Sequence, residues 1–309
     1  MYILELTKDY PELAKAEALA LLKPKLSRDY ENLLILDSKS DLYNRLAYTN
    51  AAYKVLFHCK PHEVEQKIAL FPWKRYYEES FSVSKVGKSD FKQEELAIMV
   101  GKRIKNPTAK LKNAKTQVVF IFADKIYACL LVWENSKGFL KRKPHLRPEL
   151  HPSSLNPKLA RAMVNLSGTK KGILLDPFCG TGGILLEALL MGIMCRGSDI
   201  DEIMIKRCEK NLKSFKVACP LGVEDATKLN KRVSCIVADL PYAKNTKNVE
   251  LDKMYKEFFK NIYDLTNTIV IGLPDFVSAK KVIGKWHIKE EFTYYLHKSL
   301  SKKIVVLEH

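Results

Sequence analysis

The chain has 309 residues, 47% of them apolar, which excludes a disordered polypeptide and is enough to build more than one buried core. The net charge is +17, and it is unevenly placed: residues 1–100 carry 15 basic and 15 acidic side chains, residues 101–150 carry 12 and 3, and residues 151–309 carry 25 and 17. An excess of +9 (12 − 3) within fifty residues favours a polyanionic partner, most simply a nucleic acid, over a merely solvated surface. Three other classes are set aside. The apolar run Gly183–Cys195 has 13 residues and contains Glu187, too short to span a membrane. The opening "MYILELTKDYPELAKAEAL" has no basic leader and carries acids, so a cytoplasmic protein is expected. Seven cysteines without a C-x-x-C pair predict neither a disulfide framework nor a metal site.

In chain order, "MYILEL" reads as a strand and Pro11–Leu22 as a helix with proline in its first turn. "NLLILD" and "AAYKVLFHC" read as strands, "PHEVEQKIAL" as a helix and "SFSVSKV" as an alternating strand. "SDFKQEELAIMVGKRI" has the spacing of an amphipathic helix, with Asp90 and Gln93 as its expected capping pair. "TQVVFIFAD" and "KIYACLLVWE" follow as strands joined by a tight turn. A basic, proline-containing connector, "NSKGFLKRKPHLRPELHPSSLNP", marks a domain boundary and leads into the helix "NPKLARAMVNL".

From Gly172 the pattern alternates: strands at "GILLD", "IMCRGSDID", "SCIVADL" and "NTIVIGLP", and helices at "GGILLEALLMG", "EIMIKRCEKNLKSF", "VELDKMYKEFFKNIYDL" and "DFVSAKKVIG". That alternation predicts a parallel, doubly wound sheet. "HIKEEFTYYLH" and "SKKIVVLE" come without a helix between them, so they should form an antiparallel pair at one edge.

Three acids end predicted strands. The first precedes a glycine-rich turn, "DPFCGTGG" (Asp176–Gly183). The turn lacks the lysine of a phosphate-binding P-loop and the last glycine of a dinucleotide fingerprint. An acid four residues before Gly180 would repel a pyrophosphate but suits a ligand with an ammonium group, such as S-adenosylmethionine. Asp199 ends the next strand 19 residues after Gly180, where a doubly wound fold places the carboxylate that holds ribose hydroxyls; Asp201 is the better helix cap. Asp225, in "VEDATKL", is a candidate acceptor for the adenine amine or a turn residue. The third acid, Asp239, opens "DLPY". Ligands in such sheets bind outside the carboxyl ends of the strands, so Asp176, Asp199 and Asp239 should share one crevice.

These motifs, in this order, resemble the class I S-adenosylmethionine-dependent methyltransferases with an Asp/Asn-Pro-Pro-Tyr/Phe motif that methylate exocyclic amines of bases. The resemblance implies cofactor contacts at Asp176, Phe178, Gly180, Thr181, Gly182, Asp199, Ile200 and Asp225, and catalytic roles for Asp239, Leu240, Pro241 and Tyr242. The lone pair of an aromatic amine is delocalised into its ring. Asp239 and a backbone carbonyl of the Leu240–Pro241 turn each accept one N–H, which frees that pair, and Tyr242 stacks on the base. Leu240 stands where the family has its first proline, and Ala243 where glycine usually follows. The first change spares the carbonyl, which belongs to the backbone.

The likeness extends outward. "RPELHPSSLNPKLARAMVNL" is similar to the lead-in of RNA guanine-N2 methyltransferases that carry an N-terminal THUMP domain. "HKSLSKKIVVLE" is similar to the ending of archaeal tRNA guanosine-10 N2-methyltransferases, and the stretch from Phe81 to Glu134 resembles THUMP itself. The expected architecture is an α/β chain: a C-terminal Rossmann-like class I methyltransferase sheet with an N-terminal α+β ferredoxin-like and THUMP RNA-binding region. Its expected divisions are a ferredoxin-like domain over residues 1–75, THUMP over 76–135, a basic linker over 136–154 and the methyltransferase over 155–309. The implied activity is methyl transfer from S-adenosylmethionine to N2 of guanosine 10 in tRNA, once or twice, without a metal. Lys102, Arg103, Lys105, Lys110, Lys112, Lys141, Arg142 and Lys143 are the expected tRNA contacts. The competing readings are methylation of guanosine 6 or of another base amine in RNA or DNA, and a non-catalytic tRNA-binding protein that keeps the fold.

Overall fold

The structure is a computed structural model that describes residues 1–136, 138–241, 248–297 and 300–309. The chain packs as two units, the first made of Met1–Lys8, Pro24–Asn44 and Thr49–Asn135, the second of Asp9–Lys23, Arg45–Tyr48 and Ser136–His309.

The first unit is built on a seven-stranded sheet. Its strands in chain order are β1 (Tyr2–Leu6), β2 (Leu26–Tyr30), β3 (Leu33–Asp37), β4 (Thr49–Cys59), β5 (Phe81–Val86), β6 (Thr116–Phe122) and β7 (Ile126–Glu134). In space they run β2-β3-β1-β4-β7-β6-β5. The pairing of β4 with β7 makes one continuous sheet from residues on both sides of position 75. Helices α2 (Val64–Leu70) and α3 (Gln93–Gly101) bury Val64, Ile68, Leu96 and Val100 with Val118 and Phe120. The alternate residues Val119 and Ile121 join Ile3, Ile35 and Tyr127 in a second cluster. Burial on both faces explains why β6 reads as a continuous apolar run rather than an alternating one.

Three local expectations need correction here. The exposed strand β2, "LSRDY", was not expected, because four of its five residues are exposed and it has no apolar period; its pairing with β3 is what makes it a strand. Helix α3 begins after Lys92 rather than at Asp90: Glu95 reaches back to accept from the Lys92 amide at 3.2 Å, a one-sided cap that stands in place of the expected Asp90–Gln93 pair. In the second unit, "DFVSAKKVIG" forms only the short helix Ala279–Val282 after a turn.

The second unit holds the other sheet. Its strands are β8 (Leu174–Asp176), β9 (Cys195–Asp199), β10 (Leu221–Val223), β11 (Cys235–Asp239), β12 (Thr268–Pro274), β13 (His287–His297) and β14 (Leu300–Glu308). Their spatial order is β10-β9-β8-β11-β12-β14-β13. Strands β8 to β12 pair in parallel, and β14 lies antiparallel to both β12 and β13, so the edge pair expected from the sequence is present. The three-residue strand β10 is too short to read from a pattern. Helices α4 (Pro157–Leu166), α5 (Gly183–Leu190), α6 (Glu202–Ser214), α7 (Asn248–Asn261) and α8 (Ala279–Val282) connect or cover the strands. None of the described helices is long and apolar enough to cross a membrane.

The N-terminal helix α1 (Pro11–Leu22) belongs to this second unit, held there by a buried acid. Fully buried Glu17 accepts from the backbone amides of Ala47 and Tyr48 at 2.8 and 3.0 Å and from Asn165 Nδ2 at 2.7 Å. Asn165 Oδ1 in turn accepts from Arg45. Burial raises the Glu17 carboxyl above the usual range, and these donors offset part of that rise.

Candidate functional site

The sheet order reverses at β8, which lies between β9 and β11, and strand ends diverge there to leave a crevice. Asp176, Asp199 and Asp239 end these three strands. The crevice has a volume of about 320 Å³, and its walls include Phe178, Gly180, Asp199, Ile200, Asp225, Asp239 and Pro241. A smaller recess of about 70 Å³ shares Phe178, Gly180 and Asp239 and adds Asp176 and Thr181.

The glycine-rich turn is tied to both neighbouring strands. Asp176 accepts from the Phe178 amide at 3.2 Å and Asp199 from the Gly180 amide at 2.9 Å. Gly180 has φ of 48°, and a Cβ there would meet no atom within 4 Å; a side chain would be strained and would project into open space. At Gly182, by contrast, a Cβ would strike Cys208 Sγ at 2.6 Å. Its part is close packing of α5 against α6. Thr181 is buried; its hydroxyl meets Ser154 Oγ at 3.0 Å, and its carbonyl accepts from Asn211.

Asp199 also accepts from the Asp201 amide at 3.0 Å, while Asp201 caps α6 through the Ile203 amide at 2.7 Å. This is the division between the two acids expected from the sequence. Each Asp199 oxygen keeps a lone pair. Asp225 both caps its turn and faces the crevice: Thr227 donates to it from its amide at 2.9 Å and its hydroxyl at 2.7 Å. Those bonds hold its carboxyl below the usual range. Ile200 is 74% exposed and stands on the crevice wall. Phe178 packs edge-on against Phe258, with centroids 5.1 Å apart.

Asp176 is 1% exposed. Burial pushes its carboxyl well above the usual range, and Asp239 and Asp199 push it further. A cation beside it would reverse that. Acceptors at one end, apolar walls between and a buried acid in the adjoining recess fit an adenosyl amino acid with an ammonium group. For Cys179, in the same turn, hydrogen bonding with Cys208 and burial push the thiol up, so it offers no thiolate nucleophile.

At the end of β11, Leu240 departs from the family's proline for a packing reason. It is 1% exposed and joins Tyr255, Phe258 and Ile271 in the core. Pro241 lines the crevice. Its carbonyl accepts from the Tyr255 hydroxyl at 2.5 Å, which ties the turn to α7. Tyr242 and Ala243 lie outside the described residues. Tyr255 was missed from the sequence, where it reads as one apolar position among Phe258, Phe259 and Ile262 on an amphipathic helix.

Lys302 was missed as well. Its Nζ bonds Asp239 Oδ2 at 2.6 Å and also contacts Oδ1. The lysine side chain is 3% exposed and the aspartate 15%. Burial raises the Asp239 carboxyl above the usual aspartate range, and Lys302 offsets part of that rise.

Of the expected RNA contacts, Lys102, Arg103, Lys105, Lys110, Lys112, Lys141 and Lys143 are exposed. Arg142 is turned inward, bonding buried Glu187 at 2.6 and 3.2 Å, and Arg161 bonds the same carboxylate at 2.8 Å. Seven residues are thereby presented to solvent and one is held in an internal ion pair.

Fold and crevice define a class I methyltransferase, and the comparisons agree. The family model described as the RMKL-like methyltransferase domain matches residues 144–299, and a DNA methylase model matches residues 10–210. The crystal structure of TrmN from Thermus thermophilus has the same fold: TM-score 0.53, 18% identity, 99% of each chain covered. A protein of Methanothermobacter thermautotrophicus named tRNA (guanine(10)-N2)-dimethyltransferase is 31% identical over 98% of both chains. Its namesake in Pyrococcus abyssi is 29% identical over 100% of this chain and 99% of that one. The chain belongs to the archaeal tRNA (guanine(10)-N2)-dimethyltransferase family.

Proposed function

We propose that the protein transfers methyl groups from S-adenosylmethionine to the exocyclic N2 of guanosine 10 in tRNA. The observation that carries the chemistry is the end of β11, where Asp239 and Pro241 stand on the wall of the cofactor crevice; the Leu240 carbonyl, between them in the chain, is proposed as the second acceptor. Two acceptors side by side suit an amine with two N–H groups. When bound, the cofactor supplies an electrophilic methyl on sulfur. The residues of the chain do the rest: Asp239 and Leu240 draw on the N–H bonds and localise the nitrogen lone pair, while Asp199, Asp225 and Asp176 orient the cofactor. Pro241 and Phe178 line the crevice. After one transfer a single N–H remains for Asp239, which supports a second round and agrees with the dimethyl in the relatives' names.

The choice of guanosine 10 is supported by full-length likeness to relatives carrying that name. The base must leave its stack, at a cost of a few kcal/mol, roughly, that tRNA binding offsets. The exposed residues Lys102, Arg103, Lys105, Lys110, Lys112, Lys141 and Lys143 are proposed to supply that binding.

The test is nucleoside mass spectrometry of an unmodified tRNA transcript incubated with protein and S-adenosylmethionine. N2-methylguanosine and then N2,N2-dimethylguanosine are expected, and both should vanish when guanosine 10 is replaced by adenosine. Methylation that survives this change, and disappears when guanosine 6 is replaced, moves the position and leaves the chemistry intact. A product methylated on a ring nitrogen or a pyrimidine carbon overturns the reading, and methyl transfer to DNA alone would follow the DNA methylase match instead.

A further inference from the structure

Four elements meet at the Asp239 carboxylate. Lys302 comes from β14, Asp176 from β8 and Tyr255 from α7, each near enough to act on it electrostatically. The fourth is β12, whose Gly272 is paired in register with Asp239. A Cβ on Gly272 would overlap Asp239 Oδ1 and crowd Lys302 Cδ at 3.2 Å. The space between β11 and β14 is therefore open only because position 272 has no side chain, and it is filled by one ion pair.

That ion pair is costly to build. Lysine is among the residues least often buried, and a buried pair must overcome the desolvation of both charges. Lys302 nevertheless stands on a strand whose neighbours Ile304, Val305 and Val306 are buried and apolar. An apolar residue would fill the same space without a charge. What a lysine adds is its effect on the acid: with Asp176 nearby and little water, an unpaired Asp239 would take up a proton. A protonated carboxyl presents a donor where an acceptor is needed.

We propose that Lys302 is a positioning residue for methyl transfer: it holds Asp239 as an anion and fixes the plane of its carboxylate, so that the lone pairs facing the crevice meet the N–H of the target amine. The inference rests on the amine-methylation reading above. In this role Lys302 acts through Asp239. Tyr255 completes the arrangement from the other side by fixing the Pro241 carbonyl, so the acid and the turn that follows it are each held by a buried side chain.

The experiment uses the full-length protein and single-turnover transfer to unmodified tRNA across a pH series. Lys302→Met should lower the rate roughly 100-fold at neutral pH, as for loss of a transition-state hydrogen bond, with cofactor affinity unchanged. The loss should shrink as pH rises, because the acid limb of the profile moves up with the Asp239 carboxyl. Lys302→Arg should keep the limb where the wild type has it. A deficit equal at every pH, or a wild-type rate in Lys302→Met, overturns the proposal. If Lys302→Met does not fold, the neutral pair Asp239→Asn/Lys302→Met leaves no unpaired buried charge. Its rate should match Asp239→Asn alone, and a further loss overturns the idea that Lys302 works through the acid. Carboxyl-carbon NMR of Asp239 in the cofactor-free protein separates this inference from the reading it rests on. If the wild type transfers no methyl to tRNA, the functional reading fails, yet an Asp239 titration midpoint that does not rise on Lys302→Met still overturns the role assigned to Lys302.

Discussion

Asp176 is the residue at which stability and function pull apart. Its carboxyl is buried beside two other acids, and its only described hydrogen bond is from the Phe178 amide. In the unfolded chain it loses its proton at the ordinary aspartate value; in the folded chain it keeps the proton to a higher pH. Between those two values the unfolded state binds fewer protons, so the contribution of Asp176 to stability falls as pH rises and levels off above the folded value. Asp176→Asn removes that slope. The cofactor-free variant should melt a few degrees higher than wild type at neutral pH, about 2–4 °C for each kcal/mol gained, with the difference closing at acid pH. Its affinity for S-adenosylmethionine should fall by about 10- to 100-fold, since a neutral amide loses a charge-assisted hydrogen bond to an ammonium group. Thermal melts across pH and calorimetry read the two effects separately. An Asn variant that is less stable, or that binds the cofactor normally, would remove Asp176 from the site.

Among the elements, α1 shows how a sequence neighbour of one unit becomes a working part of the other. The helix is legible from Pro11 to Leu22, but its destination is set by Glu17. Three donors converge on this carboxylate: the amides of Ala47 and Tyr48 and the side chain of Asn165 on α4. Glu17→Ala would remove the shared acceptor of all three and leave the Asn165 side-chain amide with the Arg45 carbonyl at 2.9 Å. The cost is expected to be about 3 kcal/mol, because each buried donor left unmade carries roughly 1–3 kcal/mol and such losses are not additive. Urea unfolding followed by far-ultraviolet circular dichroism measures it. Glu17→Gln keeps one acceptor and should recover part of the loss. Equal stability of the Ala variant and the wild type would mean that water enters and satisfies the donors.

For the whole molecule the relevant quantity is charge. The excess of residues 101–150 is carried outward at Lys102, Arg103, Lys105, Lys110, Lys112, Lys141 and Lys143, all exposed. tRNA affinity should therefore fall steeply with salt, because each phosphate neutralised releases counterions and adds about 0.7–0.9 to the slope of log affinity against log salt. Replacing Lys102, Arg103, Lys105, Lys110 and Lys112 by alanine should flatten that slope and leave S-adenosylmethionine binding unchanged. Arg142→Ala should behave differently: it breaks a buried pair with Glu187, so it should lower stability more than it alters the salt slope. Filter binding over a salt series checks both. An unaltered slope in the five-residue variant would place the phosphate contacts elsewhere.

Much of this was legible in the residues themselves, for reasons that are local. The alternation of short apolar runs with amphipathic helices from Gly172 onward is set by backbone periodicity, and the glycine-rich turn by the few residues that tolerate its geometry. Hence the doubly wound sheet, the antiparallel edge pair, the acids at three strand ends and the division between Asp199 and Asp201 could be read in advance. What could not be read depends on contacts between residues far apart in the chain. Lys302 meets Asp239 across 63 positions and Glu17 meets Asn165 across 148; neither has a period or a motif. A lysine in "SKKIVVLE", an arginine in "LKRK" and a leucine in "DLPY" look like an exposed charge, an RNA contact and a weakened motif. Burial made them an ion pair, a structural bridge and a core residue, because the energy of a charged or apolar side chain is decided by what surrounds it once the strands have closed.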